Sequence, residues 1–123
     1  RSSDLQKLFF NDLSQAKHSV VISATRLWLS KHSPILDMLK ELSARGVEVF
    51  ALVKNNTEKE ERLKETGIRT KVIDSLSMDA VIIDKSLIWY GSVNYLGYNT
   101  DENNAIRISD SKVADQILEV LYT

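Results

Sequence analysis

Residues Ser33 to Val53 read SPILDMLKELSARGVEVFALV, and they hold one complete helix-to-strand unit. Ser33 can cap a helix, and Pro34 suits the first helical position, where a missing N–H costs nothing. Ile35, Leu36, Leu39 and Leu42 then recur at helical spacing as an inner stripe. Arg45-Gly46 ends the helix, since glycine readily takes the left-handed turn there. Val47 to Val53 follows as an apolar strand. The same order, helix then Gly then strand, returns at Thr66-Gly67-Ile68. Two such units in succession predict an α/β fold.

Working outward, Ser19 to Ala24 (SVVISA) reads as a buried strand. Before it, Leu5, Leu8, Phe9, Leu13 and Ala16 space an amphipathic helix over Asp4 to Ala16. Thr57 to Thr66 reads as a charged helix with Leu63 inward, and Ile68 to Ile73 (IRTKVI) as a strand with one wetter face. Ala80–Ile83 and Leu87–Tyr90 read as a hairpin joined by Asp84-Lys85-Ser86. Trp89 and Tyr90 should pack, one on each sheet face. Ala105 to Ile108 reads as a last strand, and Ser109 to Tyr122 as a closing helix with Val113, Ile117, Leu118 and Leu121 inward. Long helical crossovers favour parallel strands, and the hairpin adds antiparallel pairing, so the sheet should be mixed.

The chain has 123 residues, which suits one domain over 1–123. Lys plus Arg is 16 against 17 Asp plus Glu, a net charge of −1. That balance argues against a strongly basic nucleic-acid-coating module but leaves room for a local basic groove. There is no Cys, so disulfides, thiolate zinc sites and a cysteine nucleophile are excluded. No apolar run approaches a membrane span and no signal-peptide pattern opens the chain, so the expected location is cytoplasmic, with no membrane partner. The chain opens with Arg1 and no initiator Met, and is read as a segment of a larger protein. In open α/β sheets, ligands sit beyond the carboxyl ends of the parallel strands. Those ends here are Thr25-Arg26 and Lys54-Asn55.

The stretch Ser77-Met78-Asp79-Ala80-Val81-Ile82-Ile83-Asp84, followed by Trp89-Tyr90-Gly91-Ser92-Val93-Asn94, resembles the phospholipase D superfamily. That family's pattern is His-x-Lys, four residues, Asp, then six residues and Gly-Ser-x-Asn. Asp84, Gly91, Ser92 and Asn94 match it. Ser77 stands where the family has histidine, and Asp79 where it has lysine. The run from Leu87 to Gly97 is similar to the phospholipase D-like domains appended to bacterial helicases and other DNA-processing proteins. No Gly-x-x-x-x-Gly-Lys loop is present, so the helicase link rests on resemblance alone. The resemblance implies a three-layer α-β-α sandwich with a mixed, mostly parallel sheet.

The resemblance also implies a chemistry. The family histidine attacks phosphorus to form a covalent phospho-histidine, and a second histidine from a second motif protonates the leaving oxygen. Lysine, serine and asparagine hold the non-bridging oxygens, and no metal or cofactor is needed. One motif per chain then implies a homodimer or a second phospholipase D-like domain. Here the histidine and lysine are both missing. A Ser77 nucleophile would need a base, and only His18 and His32 exist. Asp79 turns attraction for phosphate into repulsion unless Arg26, Lys54 or Lys85 pairs with it. A metal held by Asp79 with Asp74 or Asp84 lacks ligands of adequate number. The family's Asn-x-Glu is also disturbed, at Asp101-Glu102-Asn103-Asn104.

Each retained residue has a structural reading beside the functional one. Gly91 suits a turn out of a strand, Ser92 and Asn94 suit caps of a helical turn over Tyr95 to Tyr98, and Asp84 suits a hydrogen-bonded turn. The sequence therefore points to a degenerate phospholipase D-like domain of a larger, helicase-type protein. It would bind nucleic acid or dimerise, with Arg26, Lys31, Lys54, Ser92 and Asn94 as the candidate phosphate contacts. The alternatives are an active phosphodiesterase with a non-standard or partner-completed site, and a purely structural dimerisation domain.

Overall fold

The computed structural model describes residues 2–25, 33–54, 61, 63–91 and 105–122. Helix α1 (Ser2–Ser14) leads into strand β1 (Ser19–Ala24), then helix α2 (Pro34–Ala44) and strand β2 (Glu48–Val53). Strands β3 (Arg69–Val72), β4 (Ala80–Ile83), β5 (Leu87–Tyr90) and β6 (Ile106–Ser109) follow, and helix α3 (Ser111–Leu121) closes the described chain. Residues 61 and 63–65 are also helical, with Leu63 fully buried, while 57–60 and 62 of the Thr57–Thr66 expectation lie outside the described residues.

Local chemistry sets the boundaries. The Ser33 hydroxyl accepts from the Leu36 amide and Pro34 opens α2, whose buried residues are Ile35, Leu36, Leu39 and Leu42. Gly46 and Gly67, at φ +94° and +83°, take the left-handed turn that ends each helix before a strand. Asp110 caps α3 by accepting from the amides of Lys112 and Val113, so that helix starts two residues later than its apolar spacing suggests.

The six strands lie in the order β3-β2-β1-β4-β5-β6. β3, β2 and β1 are parallel, whereas β1–β4, β4–β5 and β5–β6 are antiparallel. The sheet is mixed as expected, but only its first half is parallel, which corrects the expectation of a mostly parallel sheet. Parallel neighbours need a long crossover back to the same end, and only the segments between β1, β2 and β3 return that way.

Successive side chains alternate across the sheet. Val20, Ile22, Ala24, Val81, Ile83 and Trp89 pack with Phe9 and Leu13 of α1 and with the α2 stripe. Val21, Leu52, Ile82 and Ile88 pack on the other face with Ala114 and Leu121 of α3. The result is a three-layer α-β-α sandwich. Val113, Ile117 and Leu118 pack only partly into the second layer. Leu8, expected in the inner stripe of α1, is 40% exposed. A polar residue of the same helix, Asp12, is buried instead.

Asp12 is a buried long-range polar anchor. Its carboxylate accepts from the Trp89 indole Nε1 at 2.8 Å and from Arg107 Nε and Nη2 at 2.6 and 3.0 Å. This ties α1 to β5 and β6. The hydrogen bond from Arg107 to Asp12 holds the guanidinium charge above its ordinary range.

Candidate functional site

The motif residues divide between the two ends of the sheet. Asp79 immediately precedes β4 and Asp84 immediately follows it. β4 runs antiparallel to β1, so Asp79 lies beside the carboxyl end of β1 and Asp84 beside its amino end. Ligands of α/β sheets bind at the first of these ends.

At that end the Asp79 carboxylate accepts from the Thr25 amide at 2.8 Å and from the Thr25 hydroxyl at 3.0 Å. Each carboxylate oxygen takes one donor. The Asp79 carbonyl accepts from the Gly91 amide at 3.3 Å, which joins the start of the motif to its second half. The buried Ser23 hydroxyl donates to the Met78 carbonyl and fixes the preceding residue. Ser77 is exposed, on the rim of a cavity of about 170 Å³ formed by Ile73, Ser75, Leu76, Met78, Val120 and Leu121. Lys54 is exposed directly after β2, at the same end of the sheet.

At the opposite end Asp84 does different work. Asp84 and Lys85 take φ values of +54° and +56°, and the Ser86 amide returns to the Ile83 carbonyl at 3.1 Å. Left-handed residues at both central positions match the twist of a tight hairpin. The Asp84 carboxylate accepts from the backbone amides of Lys17, His18 and Ser19, the shortest being His18 at 2.7 Å. Burial pushes this carboxyl up, but the amides of His18, Ser19 and Lys17 outweigh burial and hold it below its ordinary value. An open cleft of about 500 Å³ lies here, lined by Lys17, His18, Ser19, Gly46, Glu48, Asp84 and Lys85.

A stability consequence follows with a definite sign. A carboxyl held below its unfolded pKa contributes stability above that value and loses it as pH falls through the folded one. Asp84→Ala should therefore destabilise the fold by about 1–2 kcal/mol at neutral pH. The difference from wild type should shrink in acid, as the wild-type carboxyl protonates. Urea melts of both proteins from pH 7 to pH 2 measure it, and a pH-independent difference would refute the assignment.

Of the sequence candidates, Asp79, Ser77 and Lys54 share the ligand end of the sheet, and Asp84 does not. Asp84 instead takes the hydrogen-bonded turn role that its sequence also suits. Lys85 sits in the Asp84 turn, too far along β4 to pair with Asp79. The same separation removes Asp84 as a co-ligand of Asp79, and among the described residues no group of three or more His, Asp or Glu gathers for a metal. His18 lies at the Asp84 end and so cannot serve Ser77. Arg26, Lys31, His32, Ser92 and Asn94, and the stretch 101–104, lie outside the described residues. Trp89 packs as expected, in an edge-on contact with Phe9 at 5.2 Å between ring centres. Tyr90 does not pack to the same degree, being 40% exposed. The Asp12–Trp89–Arg107 anchor was missed, although an acid three residues after Phe9 in an apolar stripe was a visible signal.

This architecture has close counterparts. The phospholipase D family member Nuc from Salmonella typhimurium superposes with a TM-score of 0.77 at 20% identity, over 95% of this chain and 84% of that one. NucT from Helicobacter pylori gives 0.74 at 19% identity, over 98% and 87%. TrmBL2, an archaeal chromatin protein with its own mode of DNA binding, gives 0.67 at 15% identity, over 95% of this chain and 46% of that one. At such identities these structures establish the fold. Among curated sequences, the replicase polyprotein 1ab of lactate dehydrogenase elevating virus is 27% identical over 107 residues, and the chain spans 3% of its length. No described helix is long and apolar enough to cross a membrane. The family model described as "Cardiolipin synthase, PLD-like domain" matches residues 9–122, nearly the whole sandwich from α1 to α3. With residues 9–122 matched by the family model and the same fold in its structural counterparts, the chain belongs to the phospholipase D-like domain family.

Proposed function

We propose that this domain is a degenerate phospholipase D-like accessory module of a larger, helicase-type protein in the cytoplasm. It contacts nucleic acid, or pairs with a second copy or a second such domain, and has no phosphodiesterase activity of its own. The observation that carries this reading is Asp79, which stands in the lysine position with both oxygens engaged by Thr25. A carboxylate there does the opposite of what phosphoryl transfer requires. Two like unit charges about 4 Å apart repel by about 4 kcal/mol at an effective dielectric near 20. Thr25 keeps Asp79 in place, so the anion is part of the folded site.

The missing nucleophile supports the same reading. Ser77 is exposed and has no histidine base among the described residues, since His18 occupies the far end of the sheet. An unactivated serine is a weak nucleophile. The 123-residue chain should hydrolyse bis-p-nitrophenyl phosphate and labelled oligonucleotides at the buffer rate. Turnover that Ser77→Ala abolishes would overturn the proposal. Nucleic-acid binding should be detectable at low salt and weaken as salt rises. Flat isotherms at low salt would remove the nucleic-acid arm, and a monomer at every concentration in sedimentation would remove the pairing of identical copies.

A further inference from the structure

Among the described residues, most large apolar side chains on the sheet are covered, but one corner is not. Tyr90 ends β5 and pairs with Ile106, the first residue of β6. Tyr90 is 40% exposed and Ile106 is 54% exposed. Both lie on the α3 side of the sheet, because their neighbours Trp89 and Arg107 turn to α1, where they meet Asp12. The corner is open because α3 crosses diagonally. It starts just after β6, with the Asp110 amide bonded to Ser86. It ends over the opposite edge, where Lys71 of β3 stands 5.7 Å from the Tyr122 ring and Val120 and Leu121 meet Ile73 and Met78.

This corner adjoins the motif. Tyr90 pairs with Ala80, the residue after Asp79, and the Gly91 amide bonds to the Asp79 carbonyl. The exposed pair therefore sits beside the position where the family holds phosphate, and Asp79 has made that position repulsive. An approaching nucleotide finds an apolar ring close by and a carboxylate where a cation would be.

Resting on the nucleic-acid reading above, we propose that Tyr90, backed by Ile106, is a stacking platform for one base of a single-stranded nucleic acid. Size selects this occupant. The exposed parts of the two side chains present roughly 200 Å², about a quarter of the ~800 Å² per partner that a stable protein interface needs. An area that small suits a flat ring and not a protein face. Strand-borne aromatic rings stack bases without regard to sequence. A duplex hides its base faces, so the strand must be single.

The test is fluorescence anisotropy at 50 mM salt with labelled oligothymidylate and with the same oligomer made abasic, using the intact 123-residue chain. Tyr90→Ala should weaken binding to oligothymidylate at least fivefold, while Tyr90→Phe stays within twofold of wild type. The abasic oligomer should bind wild type as weakly as oligothymidylate binds Tyr90→Ala. Circular dichroism confirms that the variants fold, and Ile106→Ala provides a second, milder variant with a smaller loss. If the wild type binds both oligomers and Tyr90→Ala binds equally well, stacking is overturned while the nucleic-acid reading stands. If the wild type binds neither, both fall.

Discussion

Asp12→Ala should destabilise the protein by about 3 kcal/mol, the largest loss expected from a single polar substitution among the described residues. Asp12 is buried, and its carboxylate takes three donors from two different strands. Removing it leaves the indole N–H of a fully buried Trp89 without a partner. A buried donor left unmade costs about 1–3 kcal/mol. It also frees Arg107, whose guanidinium is bonded through two nitrogens in the geometry that gives the strong form of this pair. Arg107 is 42% exposed, so water recovers part of that loss. This is why the expected figure lies near the lower end of the range for a broken buried ion pair. Trp89→Phe should cost less, since it removes donor and indole bulk together and leaves Asp12 with Arg107. Chemical denaturation of wild type, Asp12→Ala, Trp89→Phe and the double variant gives the coupling directly. Additive losses would show that the indole–carboxylate bond contributes nothing.

The contrast between Asp12 and Ser33 shows which parts of the fold were legible. Ser33-Pro34, Gly46 and Gly67 act on the backbone within a few residues, so their chemistry is written locally. The buried run of β1 could be read for the same reason, down to its ends at Ser19 and Ala24. Asp12 meets residues 77 and 95 positions away, and no local period encodes that meeting. Tyr90 is a case between these. Alternation told that Trp89 and Tyr90 face opposite sides, but which side stays covered depends on the diagonal path of α3.

The motif was legible as a pattern, and the sheet decides where each of its residues stands. Asp79 and Asp84 fall within one short motif, yet a strand of four residues lies between them. At about 3.3 Å per residue that strand sets the two carboxylates well over ~10 Å apart, at opposite ends of the sheet. Strand geometry alone therefore separates a residue that can face ligand from one that fixes the turn and the start of β1. The remaining candidates, Arg26, Lys31, Ser92 and Asn94, lie outside the described residues, and their part in the site stays with the proposal.

Asp79→Lys should tighten binding of single-stranded nucleic acid by about tenfold or more at low salt, against the usual direction in which a substitution harms a site. Wild type places a fixed negative charge at the ligand end of the sheet, held by two bonds from Thr25. The substitution changes the local charge by two and moves the net charge from −1 to +1. With one added phosphate contact, the slope of log affinity against log salt should steepen by about one. Asp79→Asn separates charge from shape. It keeps an acceptor for the Thr25 amide, turns the hydroxyl bond round so that its NH2 donates to Thr25, and removes the charge, so it should give an intermediate gain and little change in slope. Loss of the Thr25 contacts in the Lys variant should cost about 1–2 kcal/mol of stability, which thermal melts will show without loss of the fold. The order wild type, Asn, Lys in rising affinity follows from electrostatics at this position and from nothing else in the sandwich. Equal affinity for the three proteins would mean that nucleic acid passes elsewhere, and that Asp79 serves only to join β4 to the end of β1.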